Sequence, residues 1–170
     1  IVIKSRSAHI FHVGDSRVYR LDSSGLELLT NDHRLWPDRH QSYLSRAMGM
    51  ASSCEFDYRQ LPLNKGDTPI LATDGVYEWI DGQAIASNIE RHSNDLDKAA
   101  RAMVELAYQQ GSTDNLTIQI LRVEELPLQE VSEVQQQVDE LPLPPVLDAR
   151  MNFDGYRIQR EVHASSRSHG

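Results

Sequence analysis

Hydrophobic and polar positions alternate early in the chain. HIFHV, residues 9–13, alternates and carries enough β-branched character for a strand. GDSR follows, and VYRL (18–21) continues as a second strand. DSSG (22–25) is a turn, and LELLT (26–30) returns, so the segment reads as an antiparallel hairpin or meander. The next stretch, NDHRLWPDRHQSYLSRAMGM, is polar and irregular. Pro37 blocks a helix running through it, and Gln41 to Met48 is expected as a short helix. EFDYRQLPL (55–63) reads as a strand, NKGD turns the chain, and TPILA (68–72) is a short apolar strand.

The period then changes from two to three and four. Asp81 is expected to cap a helix through GQAIASNIERH, and Asp95 to cap a second over LDKAARAMVELAYQQ, which Gly111 ends. Leu96, Ala99, Ala100, Met103, Val104 and Ala107 fall on one face of that second helix, the pattern of a core-facing stripe. NLTIQILRV (115–123) alternates again and is expected as a closing strand. Strands, a helix pair and a strand together make an α+β fold with antiparallel strands covered by helices.

After Val123 the character shifts. EELPLQEVSEVQQQVDELPLPPVLD is rich in Pro, Gln and acidic residues and has no Lys or Arg, as a linker would. FDGYRIQREV then reads as a fresh strand-like segment. The expected organisation is a folded portion over 1–123, a linker over 124–150 and the start of a further domain over 151–170. The chain opens on an apolar run without Met, and both ends read as cut from something longer.

Composition narrows the possibilities. The chain has 170 residues, 39% hydrophobic and 25% charged, with a net charge of −8. That balance opposes non-specific binding to nucleic acid or to an anionic membrane surface, both of which want a basic patch. No apolar run approaches the ~18 residues of a membrane span. The single cysteine, Cys54, excludes an intrachain disulfide and fits a reducing, cytoplasmic setting. No Cys-x5-Arg loop surrounds it, so it reads as an ordinary buried or loop thiol. The histidines show no zinc spacing, and Trp36 and Trp79 read as packing residues.

Three aspartates share a context: Asp15 in HVGDSR, Asp74 in LATDGV and Asp114 in GSTDNLTI each stand at a strand end beside a small or turn residue. Each also has a plain reading, since Asp-Gly and Asp-Asn form turns and Asp15 could simply pair with Arg17. If the strands share one sheet, the carboxylates meet at its edge. Hard divalent cations favour oxygen ligands of this kind and keep several waters of their own. Such cations can activate a water as nucleophile and stabilise charge on a phosphoryl group.

VGDSRVYRL, LTNDHR, YLSRAMGM, ILATDGVYEWI and GSTDNLTIQIL, in that order, resemble the metal-dependent type 2C protein serine/threonine phosphatases. The resemblance covers about 1–123. It implies the C-terminal portion of a β-sandwich flanked by helices, with a centre for two or three Mn²⁺ or Mg²⁺ ions at one end. It implies Asp74 and Asp114 as metal carboxylates and Asp15 as a ligand of a third, weaker site. Gly75 would let the chain turn without crowding the ions, and Glu78 would face solvent, with orienting a metal-bound water as its alternative role. Residues 31–50 would form the flap beside the site, and the substrate would be a phosphoserine or phosphothreonine protein.

The family's phosphate-gripping Arg, early acidic residue and Asp-Gly-x-Gly-Gly are not in this sequence. Asp81-Gly82 and Asp154-Gly155 lack the Gly-Gly pattern. The chain alone is therefore expected to be inactive and to bind metal poorly. A non-catalytic binding or regulatory module of the same fold is the alternative. A haloacid-dehalogenase-like phosphotransferase would need a nucleophilic Asp two residues before Asp74, where Ala72 stands. The tail NFDGYRIQREVHASSRSHG resembles the lead into a protein kinase N-lobe but lacks the glycines of its phosphate loop, and a disordered tail is the plain alternative.

Overall fold

A computed structural model describes residues 1–35 and 43–128 and, beyond them, 152–153, 156–157, 159, 164–165 and 168–169. The linker expectation over 129–150, and Trp36, Pro37 and His40, lie outside the described residues. Two compact units divide the chain, 1–128 and 129–170. Among the described residues, no helix is long and apolar enough to cross a membrane.

Among the described residues, the first unit is built on two main sheets, with a small two-stranded sheet beside them. One has three antiparallel strands in the order β1 (Val2–Lys4), β2 (Ser7–His12) and β7 (Asp57–Pro62). The other has four antiparallel strands in the order β4 (Gly25–Leu28), β3 (Arg17–Asp22), β8 (Thr68–Ala72) and β9 (Ile118–Ile120). The β3–β4 hairpin is the one the alternation anticipates. The expected meander does not extend to β2, which pairs with β7 instead. Backbone bonds from Leu121 N to Pro69 O and from Val123 N to Asp67 O carry the β9 edge beyond its ladder.

Alternation along β3 and β8 sends side chains to both faces of the four-stranded sheet. Val18 joins Ala8, Ile10, Leu29, Leu61, Leu63 and Val123 in one buried cluster, with Leu71 against it. Tyr19, Ile70 and Ala72 join a second cluster with residues of the helices. Its inner strand β8 is thus buried on both sides, and TPILA reads as a near-continuous apolar run for that reason.

Three helices cover it: α1 (Asp74–Tyr77), α2 (Gly82–Arg91) and α3 (Leu96–Gln109). Both expected caps form. Asp81 accepts from Ala84 N at 2.8 Å and Asp95 from Lys98 N at 3.1 Å, each satisfying one of the open donors of a first helical turn. On α3 the buried face is Ala99, Met103 and Ala107, with Ala100 and Val104 at its margin. Gly111 ends the helix at φ +106°, a conformation that a side chain disfavours.

The expected helix from Gln41 to Met48 is not present in its described part. Tyr43–Leu44 forms β6, paired with β5 (Arg34–Leu35), and the chain bends after it. Arg34 is drawn into ion pairs at the end of the sandwich, and β6 follows it. Cys54 lies exposed in the following loop. The first unit runs past Val123: Leu126 packs on the inter-sheet cluster, and Arg6 donates to Pro127 O at 3.1 Å. Among the described residues of the second unit, two short antiparallel pairs form, β10 (Asn152–Phe153) with β11 (Tyr156–Arg157) and β12 (Ala164–Ser165) with β13 (Ser168–His169).

Candidate functional site

The acidic end of the sandwich is assembled by three segments. The first is the β8 exit. Thr73 N donates to Thr117 O, and the Thr73 hydroxyl donates to Asn115 O at 2.9 Å and accepts from Thr117 N at 3.1 Å. Ser112 Oγ donates to Gly75 O at 2.8 Å. These bonds clamp the 112–117 loop against the start of α1.

Gly75 is needed there for proximity and not for an unusual turn. A Cβ at this position would stand 2.6 Å from Asn115 O and 3.2 Å from Asp114 Cβ. Its backbone is helical, so the expected turning role is replaced by a close approach of two backbones. The missing side chain at Gly75 lets the 114–115 backbone come up against the residue that follows Asp74. Asp74 Oδ1 accepts from Gly75 N, and Asp114 Oδ1 from Asn115 N, so each carboxylate is also anchored to its own backbone.

The second segment is the β2–β3 loop, which carries Asp15 from the three-stranded sheet to the four-stranded one. The three aspartates stand at one edge of the four-stranded sheet, as expected: Arg17, Ala72 and Ile118 are in register, with Asp15 just before β3, Asp74 just after β8 and Asp114 before β9. Tyr77 Oη donates to Asp15 O at 2.8 Å and fixes that loop on α1. Burial raises the Tyr77 pKa above its ordinary value, which keeps the phenol a donor.

The third segment is Asp32-His33-Arg34, which meets Gly14 to Arg17 residue against residue. Arg17 donates to both oxygens of Asp32, at 3.0 and 2.8 Å, and lies 3.8 Å over the Tyr77 ring. The side-chain bond to Asp32 holds the Arg17 pKa above its usual range. The expected Asp15–Arg17 pair therefore does not form. His33 is buried; its Nδ1 accepts from Gly14 N at 3.1 Å, which puts the ring proton on Nε2, facing Asp57 at 3.0 Å. The bond from His33, with Arg46 adding to it, lowers the Asp57 pKa. Gly14, at φ +101°, brings its N–H to the ring in a conformation that favours glycine.

Arg34 completes the arrangement. Its Nε donates to Asp15 Oδ2 at 2.7 Å and one terminal nitrogen to Asp74 Oδ2 at 2.7 Å, while the other pairs with Glu78. The side chain is 11% exposed. Burial works against its charge, and the bonds to Asp15 and Glu78 outweigh it and raise its pKa. Glu78, expected to face solvent alone, is half-exposed and paired. No period or spacing marks Asp32, His33 and Arg34, whose partners are distant in sequence; the signal that held them was the LTNDHR motif of the resemblance, which gave them no role.

The donor set suits a hard divalent cation in kind, because Asp15 and Asp74 offer carboxylate oxygens that already converge on one positive charge. It is a partial set. Among the described residues, no three of His, Cys, Asp and Glu stand together in a metal-holding group.

Comparison with known proteins follows this geometry. Residues 53–116 match the family Protein phosphatase 2C. The serine/threonine phosphatase stp of Listeria welshimeri is 27% identical over 124 residues, covering 64% of this chain and 49% of that protein. The solved serine/threonine phosphatase of S. agalactiae superposes with a TM-score of 0.66 at 25% identity, covering 72% of this chain and 56% of that one. The catalytic domain of the serine/threonine phosphatase PstP, solved with two manganese ions, shares the fold at a TM-score of 0.57 and 20% identity, over 70% and 54% of the two chains. The chain spans about half the length of the curated relatives it matches.

Proposed function

The chain belongs to the type 2C protein phosphatase family, and from that premise we propose that it supplies the C-terminal half of a Mn²⁺- or Mg²⁺-dependent centre that hydrolyses phosphoserine and phosphothreonine in proteins. In this reading, the phosphatase portion runs past the expected 123 to the end of the first unit at 128, a linker follows to 150, and 151–170 is the start of a further domain, of a kinase in the same polypeptide. The observation that carries the proposal is the convergence of Asp15 and Asp74 at the end of the sandwich, with Asp114 held against Gly75.

Asp74 and Asp114 would hold the metal, and Asp15 a further, weaker ion. Bound there, the metal would activate the attacking water and neutralise charge on the phosphoryl group. The chain's own residues set the frame. The Thr73 and Ser112 clamps position Asp74 against Asp114, Tyr77 holds the Asp15 loop, and His33 ties that loop to the flap. The sequence has no bridging carboxylate from Asp-Gly-x-Gly-Gly and no Arg of the family's phosphate clamp, so the chain by itself does not turn over a phosphomonoester.

The test is Mn²⁺-dependent hydrolysis of a phosphothreonine peptide, by this chain and by the longer protein that contains it. Loss of a mere outer-shell partner costs metal sites about 10–100-fold, so Asp74→Asn and Asp114→Asn are each expected to reduce the longer protein's rate by about 100-fold or more. Both variants should keep the fold, as circular dichroism would show, with Asp74→Asn melting somewhat lower because it loses the Arg34 ion pair. Near-normal rates with unaltered Mn²⁺ dependence in either variant, or turnover by the 170-residue chain alone, would contradict the proposal. Silence of the longer protein itself would favour the non-catalytic module.

A further inference from the structure

Arg34 is a cation from this chain's own flap, set among the carboxylates assigned above to a divalent cation. Its fork is fully engaged at this end: Nε on Asp15, one terminal nitrogen on Asp74 and the other on Glu78. Planar forks of this kind bind carboxylates more specifically than a point charge does. Residues 14 and 33 exchange two bonds, His33 N to Gly14 O at 2.8 Å and Gly14 N to the His33 ring, so the backbone just before Arg34 is fixed to the Asp15 loop. The guanidinium is therefore presented by a rigid mount and is not swept in by a free side chain.

One set of oxygens serves two claimants. Asp15 Oδ2 and Asp74 Oδ2 each give a lone pair to Arg34, and these are hard oxygens of the type a divalent cation takes. Without a positive charge between them, three carboxylates converging in a half-buried place would repel, and burial would sharpen the repulsion.

We propose that Arg34 is a tethered counter-ion of this centre: its guanidinium holds Asp15, Asp74 and Glu78 together before a divalent cation is loaded, and must leave them for loading to occur. The proposal rests on the assignment of Asp15 and Asp74 to the metal. Its consequence is a built-in competition. If the fork holds the carboxylates about nine times in ten, the apparent affinity for the cation is reduced about tenfold. The same contact stabilises the metal-free protein, so stability and metal affinity change in opposite directions when it is removed.

The experiment measures Mn²⁺ binding to the full 170-residue chain by the electron paramagnetic resonance signal of free Mn²⁺, together with melting temperature with and without Mn²⁺. Four proteins are compared: wild type, Arg34→Gln, Arg46→Gln and Arg34→Gln combined with Asp74→Asn. Arg46 pairs with Asp57 and not with the centre, so Arg46→Gln removes an equal charge from the same flap. Arg34→Gln is expected to tighten Mn²⁺ binding about tenfold. It should also melt lower than wild type without Mn²⁺ and gain more from its addition. Arg46→Gln should stay within about twofold of wild type, because its charge is partly exposed, screened, and paired outside the centre. Adding Asp74→Asn should abolish the gain.

Equal Mn²⁺ affinity in wild type and Arg34→Gln, both weakened by Asp74→Asn, overturns the counter-ion and leaves the metal assignment standing. Equal tightening by Arg34→Gln and Arg46→Gln also overturns it, since general charge would then suffice. Binding indifferent to Asp74→Asn in every background overturns the metal assignment and the counter-ion with it.

Discussion

The two sheets of the first unit differ in what covers them. The four-stranded sheet has a buried cluster on each face: Ile70 and Tyr19 point to the helices, Val18 and Leu71 to the other sheet. Among the described residues, the three-stranded sheet is covered on one face only. Its outer face exposes Phe11 and Tyr58, a directly opposed cross-strand pair, with Phe56 edge-on to Phe11 at 5.6 Å and Tyr58 at 5.2 Å. Strand β2 therefore alternates strictly between buried and open, while β8 is nearly all buried. The acidic centre draws its rigid half from the fully covered sheet, through Asp74 and Asp114. Asp15 comes from the loop between the two sheets, and Arg34 and Tyr77 tie it down.

That contrast can be broken or sharpened by substitution. The largest effect is expected on the helix side. Met103 is fully buried under α3, and Met103→Ala should cost about 3 kcal/mol through lost transfer energy and the cavity left behind. Urea titration followed by circular dichroism reads it directly. A cost below about 1 kcal/mol would mean that the helix layer yields and the cluster is not close-packed.

Gly75→Ala should come next, at about 2 kcal/mol, because a Cβ would stand 2.6 Å from Asn115 O and overpack a place built from two backbones. The relief must come from the 112–115 loop, which carries Asp114 away from Asp74. Amide exchange of that loop should accelerate with the loss of stability. A neutral Gly75→Ala would show that the two aspartates are not held together by this approach.

The smallest effect belongs to the open face. Phe11→Ser removes an aromatic that is half-exposed, so its cost should be about 0.5 kcal/mol, the scale of a surface substitution with a weak ring contact. The same urea titration checks it. A cost matching that of Met103→Ala would erase the contrast between the two sheets.

Particular elements show how far the sequence carries. Asp81 and Asp95 were legible as caps because the bond each makes spans only three residues. The α3 stripe was legible from its period, and β3, β4, β7 and β8 from alternation and turn residues. The flap was not: Tyr43–Leu44 extends where a short helix was expected, since pairing with Arg34–Leu35 outweighs a weak local preference. The resemblance pointed to Asp15, Asp74 and Asp114, and its LTNDHR motif held Asp32, His33 and Arg34 without assigning them a place among those carboxylates.

What the sequence by itself determined is the set of local commitments: strands by twos, helices by threes and fours, caps and turns at Asp and Gly, and a net negative charge looking for cations. These need only neighbours within a turn or a pleat. What the tertiary structure alone decided is the acidic centre. Arg34 lies 19, 40 and 44 positions from Asp15, Asp74 and Glu78, and Gly75 matters only because Asn115 reaches it across the sheet end. Charge pairs and close backbone approaches are set by distance in space, and no periodicity along the chain encodes that distance.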